Sequence, residues 1–425
     1  MILYSKGSRT ETLTNRDLKA GLFSALDTLG AKTRVLAIPP DITRYHSHAG
    51  VLTEFAWEYY GEQLRDVLPA IGTHYPMTEK EIEGMFGAIP QHLFRIHDWR
   101  QGITTLGEVP AEYVRGVSDG AVEYDIPIQV DSLLVEKEYD LILSLGQVVP
   151  HEVIGMAGYN KNVFVGAGGR EVINKTHFLG AAYGMERIMG RADSPVRSVL
   201  NYGSEHFAHH LPIVYVLTVV GVDSEGKFGT RGLFIGDDIE CFQRAAELSL
   251  EVNFELLDVP LKKVVVYLNP FEYKSTWLGN KSIYRTRMAI ADGGELIVLA
   301  PGLAQFGEDE GIDALIRKYG YVGTPRVLEL VKQNEDVQQN LSAAAHLIHG
   351  SSEGRFTITY ATEKLSKREI ESVNFNYAPL EAMMQKYNPP RLKEGRNTLP
   401  DGEEIFFISN PGLGLWSTRS RFFPD

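Results

Sequence analysis

The feature that most constrains the fold is a series of short apolar runs with helical patterns between them. Many runs are nearly continuous rather than alternating, as expected for strands covered on both faces. Residues 17–30 and 237–257 each begin at an Asp and place apolar residues at three- and four-residue steps, which predicts helices. Alternating strands and helices predict an α/β architecture with largely parallel sheets. The apolar runs cover residues 33–39, 140–149, 211–222, 262–269, 294–301, 355–361 and 404–410.

The chain is long enough for more than one domain. At 425 residues, two or three domains are expected. The predicted helix 237–257 ends where a new strand is about to begin, so we predict domains at residues 1–258 and 259–425. Active sites favour the clefts between such domains, and the interdomain cleft is the expected position of the site.

Charge and composition exclude several classes of protein. The formal net charge is −13, and no long basic run offers the clustered cations that nucleic acids require. The single cysteine, Cys241, cannot form an internal disulfide, which fits a reducing compartment. The N-terminus lacks a signal-peptide pattern, and no run approaches the 18 or so apolar residues of a membrane span. We therefore expect a soluble cytoplasmic protein without membrane or nucleic-acid partners.

Polar groups follow the first predicted strand, in the segment PPDITRYHSH at residues 39–48. Asp41, Thr43 and Arg44 stand at a strand end, where α/β folds place ligand-binding groups. The alternative is a solvated loop with an internal Asp–Arg pair.

The segment AIGTHYPMTEKE at residues 70–81 contains a second candidate. Thr78 and Glu81 have the spacing of a capping box that starts a helix. His74 lies in the turn before it, where an imidazole aimed into a cleft can exchange protons at neutral pH. The alternative is a surface histidine in a strand-to-helix loop.

Residues 148–181 contain the largest group of candidates, with His151, Lys161 and His177 around a glycine-rich turn. Glycines let backbone N–H groups approach a phosphate, and a following helix N-terminus favours the anion. GAGGRE matches neither the P-loop nor the full dinucleotide fingerprint, so a tight turn with exposed cations is the alternative. The glycines are Gly166, Gly168 and Gly169.

Cations concentrate in a fourth segment, at residues 274–295, although the protein is acidic. Arginines and lysines beside Trp277 suit a ligand that carries a carboxylate. The alternative is a basic helix face that pairs with acidic neighbours. The cations are Lys274, Lys281, Arg285 and Arg287. His206, His209 and His210 match no standard zinc spacing, and we interpret them as structural.

Taken in order from about residue 33 to about 310, these segments resemble the lactate racemase family, whose members use a nickel-pincer nucleotide. DITR matches the family's Asp-x-Thr-Arg element, and GTHYP matches its Gly-Phe-His-Arg-Pro element. His151 lies ten residues before Lys161 and His177 sixteen residues after it, intervals that the family keeps. Lys281 fits the family lysine of the second domain.

The resemblance implies a role for each matching residue. Lys161 would hold the cofactor, pyridinium-3-thioamide-5-thiocarboxylic acid mononucleotide with nickel, through a covalent bond, and His177 would bind the nickel. His74 and His151 would be the two acid/base catalysts that act on opposite faces of a 2-hydroxyacid. Arg44 and Lys281 would bind the substrate, and the remaining residues would support the cofactor, namely Asp41, Thr43, Gly166, Gly168 and Gly169. Cofactor-biosynthesis proteins would be partners.

The chain departs from the family pattern at positions that are expected to contact the substrate. Tyr75 replaces an arginine, Tyr159 and Asn160 stand before the cofactor lysine, and Leu278 replaces a glutamine. These departures put lactate in doubt and favour a more polar substrate, such as the sugar acid gluconate, with Tyr75 and Asn160 as further substrate-binding residues. The alternatives are an NAD-dependent 2-hydroxyacid dehydrogenase and a sugar-acid-binding protein without catalytic activity. The sequence does not predict an oligomeric state.

Overall fold

The computed structural model describes residues 1–222, 227–412 and 414–423. The chain forms two compact units. Unit 1 comprises Met1–Leu179 and Ile188–Asn253, and unit 2 comprises Gly180–Arg187 and Phe254–Asp425. The main boundary therefore falls after Asn253, and a short segment before it belongs to unit 2.

Strands and helices alternate up to the main boundary. The strands are β1 (Ile2–Gly7), β2 (Val35–Ile38), β3 (Leu64–Val67), β4 (Ile103–Val109), β5 (Ile126–Asp131), β6 (Leu141–Gln147), β7 (Pro150–His151), β8 (Gly155–Met156), β9 (Ile213–Val222) and β10 (Phe228–Gly236). The helices are α1 (Asn15–Leu29), α2 (Ala49–Tyr60), α3 (Glu79–Phe86), α4 (Ala111–Val117), α5 (Leu133–Glu136), α6 (Arg170–Tyr183), α7 (Met185–Ile188), α8 (Pro195–His206) and α9 (Ile239–Asn253). Short 3-10 turns cover Ile42–Ser47, Gly61–Gln63 and Gln91–Leu93, and a π-helical turn covers Asn162–Gly166.

Beyond the boundary the same alternation continues. The strands are β11 (Phe254–Leu257), β12 (Leu261–Tyr267), β13 (Ile290–Leu299), β14 (Thr357–Thr362), β15 (Asn376–Pro379), β16 (Gly395–Thr398), β17 (Glu404–Ile408) and β18 (Leu415–Thr418). The helices are α10 (Thr276–Gly279), α11 (Lys281–Tyr284), α12 (Glu310–Tyr319), α13 (Thr324–Gln333), α14 (Glu335–Gln338), α15 (Leu341–His349), α16 (Lys367–Ser372), α17 (Leu380–Tyr387) and α18 (Arg419–Phe422), with a 3-10 turn at Pro389–Arg391.

The main sheet of unit 1 has the strand order β1-β10-β9-β6-β2-β3. The β9-β6-β2-β3 part is parallel, and β1, β10 and β9 pair antiparallel. All seven residues of β6 are buried, as the continuous apolar run predicts. Polar groups after the ends of β2 and β6 therefore meet at the same edge of the sheet.

The main sheet of unit 2 has the strand order β15-β14-β13-β12-β17-β16. Its pairs are parallel except for the antiparallel edge pair of β16 and β17. Helices connect the parallel strands, as such crossovers require. The predicted α/β class with two largely parallel sheets is thus confirmed.

Two predicted helices have different ends in the structure. α1 is capped by Thr14, which accepts from the backbone of Asp17 in a capping box, so Asp17 lies inside the helix rather than at its start. The predicted helix 237–257 was too long, because α9 ends at Asn253. Residues 254–257 instead form β11, which pairs in parallel with β18. A strand partner more than 150 residues away overrides the local helical pattern.

The core of unit 1 lies between its sheet and the helices beside it. Leu18 and Leu22 of α1 pack with Leu52 of α2 against the apolar side chains of β2 and β6. In the part of the chain that the structure describes, no helix is long and apolar enough to cross a membrane.

Candidate active site

Asp41 and His74 form a hydrogen-bonded pair after the carboxyl ends of β2 and β3. Asp41 caps the 3-10 turn at Ile42–Ser47, and His74 lies in the turn before α3. Nδ1 of His74 is 2.6 Å from Oδ2 of Asp41. Burial opposes ionisation of the carboxyl, but the bond to His74, together with Thr43 and Arg44, holds the pKa of Asp41 below its usual value. The carboxylate therefore holds a proton on Nδ1 and leaves Nε2 of His74 to accept one.

Lys161 stands at the start of the π-helical turn Asn162–Gly166, which begins soon after β8. Burial and the charge of Arg44 lower the pKa of the Lys161 ammonium to about 8, against the opposing charge of Glu152. A large fraction of this amine is therefore uncharged and nucleophilic slightly above neutral pH.

His177 lies on α6, two turns after the glycine turn. Its Nδ1 is 2.6 Å from the carbonyl oxygen of Ile173, so that nitrogen carries the proton and Nε2 keeps its lone pair. Burial and the charge of Lys161 lower the pKa of His177 to about 4. A neutral imidazole with a fixed tautomer is the form that binds a metal ion.

His151 is buried at the end of the short hairpin formed by β7 and β8. The backbone N–H of Val153 donates to its Nδ1 over 3.1 Å, which places the proton of the neutral ring on Nε2. The carboxylate of Glu152 lies 3.6 Å from the same Nδ1. His151 and His74 therefore have opposite tautomers, the first with Nε2 as donor and the second with Nε2 as acceptor.

Electrostatic contacts link these side chains into one group within unit 1. The charges of Arg44, Glu152 and Asp41 all act on Lys161. The charges of Lys161 and Glu152 act in turn on His177. Because His74 contacts Asp41 and His151 contacts Glu152, both proposed acid/base histidines belong to the same group. Sequence reasoning missed Glu152, which follows His151 directly.

The glycine turn is packed against the protein. A Cβ on Gly168 would lie 1.9 Å from the carbonyl oxygen of Phe164, and one on Gly169 would lie 2.5 Å from the side chain of Gln129. Glycine is therefore required by close packing at both positions. At the start of α6, the N–H of Arg170 donates to Trp99, and that of Val172 donates to Gln129. These N–H groups have protein acceptors, and phosphate binding at the turn stays a prediction.

A buried histidine that sequence reasoning missed ties this turn to β5. Nδ1 of His97 is 2.8 Å from Oδ2 of Asp131, and its Nε2 is 3.0 Å from the carbonyl oxygen of Gly168. Both ring nitrogens thus face oxygen atoms of the protein. The pair holds the segment that carries Lys161 and leads into α6.

Asn160, a predicted substrate-binding residue, is hydrogen-bonded to three side chains of unit 1. It is fully buried, and its amide donates to Asn201 and Ser204 while its oxygen accepts from Arg197. These partners engage both ends of the side-chain amide, and the role of Asn160 in substrate binding stays a prediction. Tyr75 is 73% exposed, and its role in substrate binding stays a prediction.

The cations of residues 274–295 belong to unit 2. For Arg287, the alternative interpretation, a cation that pairs with an acidic neighbour, describes the structure best. Arg287 is buried and forms an ion pair of 2.9 Å with Glu186. Arg285 is also buried, and its guanidinium donates to the carbonyl oxygen of Gly414. Lys281 starts α11, with Nζ 5.7 Å from the centre of the Tyr273 ring. Its role in substrate binding stays a prediction.

Histidines elsewhere in the described part of the chain do not assemble a metal site. His206 packs its ring against Tyr202 at 4.0 Å between centres, and His209 contacts His210. Across residues 1–222, 227–412 and 414–423, no group of three or more His, Cys, Asp or Glu side chains could hold a metal ion.

Comparison with known proteins locates this group of residues in a known domain. Residues 20–187 match the family described as the lactate racemase N-terminal domain. This matched part includes the candidate residues of unit 1 named above, from Asp41 to His177. A comparison with curated protein sequences found no significant match.

Two solved structures share the fold over nearly the whole chain. A Thermotoga maritima protein is 25% identical with a TM-score of 0.81, and the match covers 97% of this chain and 100% of that one. The lactate racemase apoprotein from Thermoanaerobacterium thermosaccharolyticum is 16% identical with a TM-score of 0.66, covering 97% of this chain and 94% of that one. At 16% identity, the match to the lactate racemase apoprotein shows a shared fold alone.

Proposed function

We propose that this protein is an isomerase, a racemase or epimerase that inverts C2 of a 2-hydroxyacid with a nickel-pincer nucleotide. The observation that carries the proposal is the linked group of Asp41, His74, Lys161 and His177 within a lactate racemase N-terminal domain. Together with His151, this group provides two acid/base histidines, a nucleophilic amine and an imidazole whose free Nε2 lone pair can bind a metal ion.

The residues fit this cofactor by their chemistry. An amine with its pKa lowered to about 8 suits the covalent bond that would hold the cofactor on Lys161. The Nε2 lone pair of His177, fixed by the bond from Nδ1 to Ile173, suits nickel, for which imidazole is a good ligand. When bound, the cofactor would supply a reversible hydride acceptor for C2, so that the carbon inverts through a planar 2-oxo acid without a carbanion.

The chain's own residues would move the hydroxyl proton. Nε2 of His74 is the proton acceptor, since Asp41 holds the proton on Nδ1 and stabilises the imidazolium that forms. Nε2 of His151 would donate the proton on the opposite face, with the ring entering the step as an imidazolium and leaving it as the neutral imidazole whose Nδ1 accepts from Val153. Two such groups are needed because the hydroxyl of the two isomers points in opposite directions. In the reverse reaction the two histidines exchange roles.

The proposed substrate is a small 2-hydroxycarboxylate. The charge of Arg44 lowers the pKa of both Asp41 and Lys161, so Arg44 lies close to the proposed catalytic group. Its guanidinium is suited to bind the substrate carboxylate. The argument for a sugar acid such as gluconate is weaker after the structure, because Asn160 and Arg287 are engaged inside the protein. Exposed Tyr75 still supports it.

The decisive experiment is co-expression of the full chain with the cofactor-making enzymes of a nickel-pincer pathway. We expect an added mass and bound nickel on the wild-type protein, both lost in Lys161→Ala and both kept in Lys80→Ala, which changes an exposed lysine on α3. An authentic lactate racemase loaded in the same host is the positive control. If that control is loaded and this chain gains neither mass nor nickel, the proposal is wrong.

The loaded protein then decides the substrate. Inversion of lactate, malate, phenyllactate and gluconate is compared by kcat/KM. A preference for gluconate would support the polar site, because polar groups built for hydroxyls are left unpaired by lactate. Reduction of NAD with any of these acids, in protein without nickel, would instead favour a dehydrogenase. Binding without turnover by the loaded protein would favour a sugar-acid-binding protein.

A further inference from the structure

Unit 1 contains a strongly basic cavity that has no part in the proposed reaction. Its volume is about 410 Å³, and it is lined by Arg34, Arg65, Asp66, Arg95 and Lys137. Four cations and one carboxylate leave a formal excess of three positive charges, in a chain whose net charge is −13. Cations concentrated against the overall charge of a protein raise the local concentration of an anion.

Two cations of the cavity lie at the opposite ends of the parallel strands from the candidate active site. Arg34 directly precedes β2, and Lys137 lies four residues before β6, so both stand near the amino ends of parallel strands. Asp41 and His151 follow the carboxyl ends of the same two strands. An anion bound in this cavity would therefore be separate from the substrate and cofactor proposed above.

The single carboxylate of the cavity already has its partners. Asp66 is buried, and its oxygens lie 2.6 Å from Nε of Arg95 and 3.4 Å from Nζ of Lys137. The hydroxyl of Tyr139 donates to the same carboxylate. The ion pairs with Asp66 therefore explain why Arg95 and Lys137 lie in the cavity. They do not explain the presence of Arg34 and Arg65.

Arg34 and Arg65 are the unexplained pair. Arg34 precedes Val35 of β2 and Arg65 follows Leu64 of β3, and these two strand residues lie opposite each other. Among the described residues, the guanidinium groups of both form neither an ion pair nor a hydrogen bond. The charge of Arg34 is nevertheless close enough to affect Tyr139, which donates to Asp66. Burial and Asp66 raise the pKa of Tyr139, and the charges of Arg95 and Arg34 oppose that rise.

We propose that this cavity binds a small molecule with two linked phosphates, such as the diphosphate of a nucleotide. Arginine presents a planar fork of N–H groups that matches phosphate oxygens in pairs, and two adjacent arginines match two adjacent phosphates. The volume is within the range of small-molecule sites and exceeds the needs of one inorganic phosphate. The charged lining excludes an apolar ligand.

The test is calorimetric titration of the full-length protein with pyrophosphate at constant ionic strength. Arg34→Ala/Arg65→Ala removes the unexplained pair. Arg9→Ala/Arg16→Ala removes the same two charges from exposed positions outside the cavity. We expect the first variant to weaken binding by about a hundredfold, roughly tenfold for each charge-assisted contact, and the second to leave it unchanged. Thermal unfolding of all three proteins establishes that each variant is folded.

Each outcome bears on the proposal. Orthophosphate should bind at least about tenfold more weakly than pyrophosphate, because it occupies only one half of the pair. Equal affinity for the two probes would refute the diphosphate site. Undetectable binding of pyrophosphate, or equal weakening by the two double variants, would show that the cavity has no specific anion site. None of these results depends on the racemase function, since titration needs neither nickel nor turnover.

Discussion

Nδ1 of His74 lies 2.6 Å from Oδ2 of Asp41, although the two residues are 33 positions apart in the chain. The side chain of His74 is 36% exposed, whereas that of Asp41 is 5% exposed. The pair thus joins a buried carboxylate to an imidazole that reaches solvent. This arrangement orients the ring, fixes its tautomer and stabilises its protonated form, which are the requirements of a general base.

Asp41→Asn is expected to lower turnover by the loaded enzyme by about 10²–10⁴-fold, the range for lost general acid–base catalysis. Asparagine has no charge to stabilise the imidazolium and also offers an N–H to Nδ1, which favours the wrong tautomer. Thr43→Val is the control, because it removes only the hydroxyl that donates to Asp41 over 2.5 Å. Nitrogen NMR of the His74 ring reports the tautomer without any assay of activity. An unchanged tautomer and unchanged turnover in Asp41→Asn would contradict this role.

Lys161 is expected to react with amine reagents at lower pH than other lysines of the apoprotein. Burial and Arg44 lower its pKa to about 8, so about half of the amine is uncharged at pH 8. An ordinary lysine with a pKa of about 10.4 is uncharged in well under 1% of molecules there. Labelling from pH 6 to 10, followed by peptide mass spectrometry, measures the midpoint at Lys161 with exposed Lys80 as internal reference. A shared midpoint for the two lysines would disprove the shift.

His177→Ala is expected to keep the organic adduct on Lys161 and to lose most of the nickel and all activity. The reason is that the adduct depends on the amine, whereas the metal depends on the Nε2 lone pair of His177. His206→Ala, on the exposed side of α8, should retain nickel. Metal analysis together with intact mass separates the two effects. Full nickel occupancy in His177→Ala would remove this residue as a ligand.

Gly168→Ala is expected to destabilise the protein by about 1–3 kcal/mol or more, as overpacking does. The added Cβ would lie 1.9 Å from the backbone oxygen of Phe164, which cannot move aside as a side chain can. Gly116→Ala, on α4 with nothing near its added Cβ, should instead stabilise by about 0.5–1 kcal/mol. Urea unfolding of the two variants compares them directly. Equal stability would mean that the glycine turn is loosely packed.

Much of the fold could be predicted because it depends on local pattern. Continuous apolar runs identified β6 and β12, and the spacing of Thr78 and Glu81 identified the capping box that starts α3. These signals are properties of a few adjacent residues, whose backbone geometry sets the period of buried positions. The order of Asp41, His74, Lys161 and His177 also predicted the resemblance to the lactate racemase family, and residues 20–187 match the N-terminal domain of that family.

The tertiary structure decided what local pattern does not contain. β11 is a strand because β18 lies beside it, and the side-chain amide of Asn160 is held by Arg197 and Ser204. The same holds for the bond of His97 to Asp131 and for the cavity where Arg34 meets Arg95. Each joins residues that are far apart in sequence, and their meeting depends on how strands and helices pack. The sequence alone thus determined which residue types the site contains, and packing determined their partners, protonation and exposure.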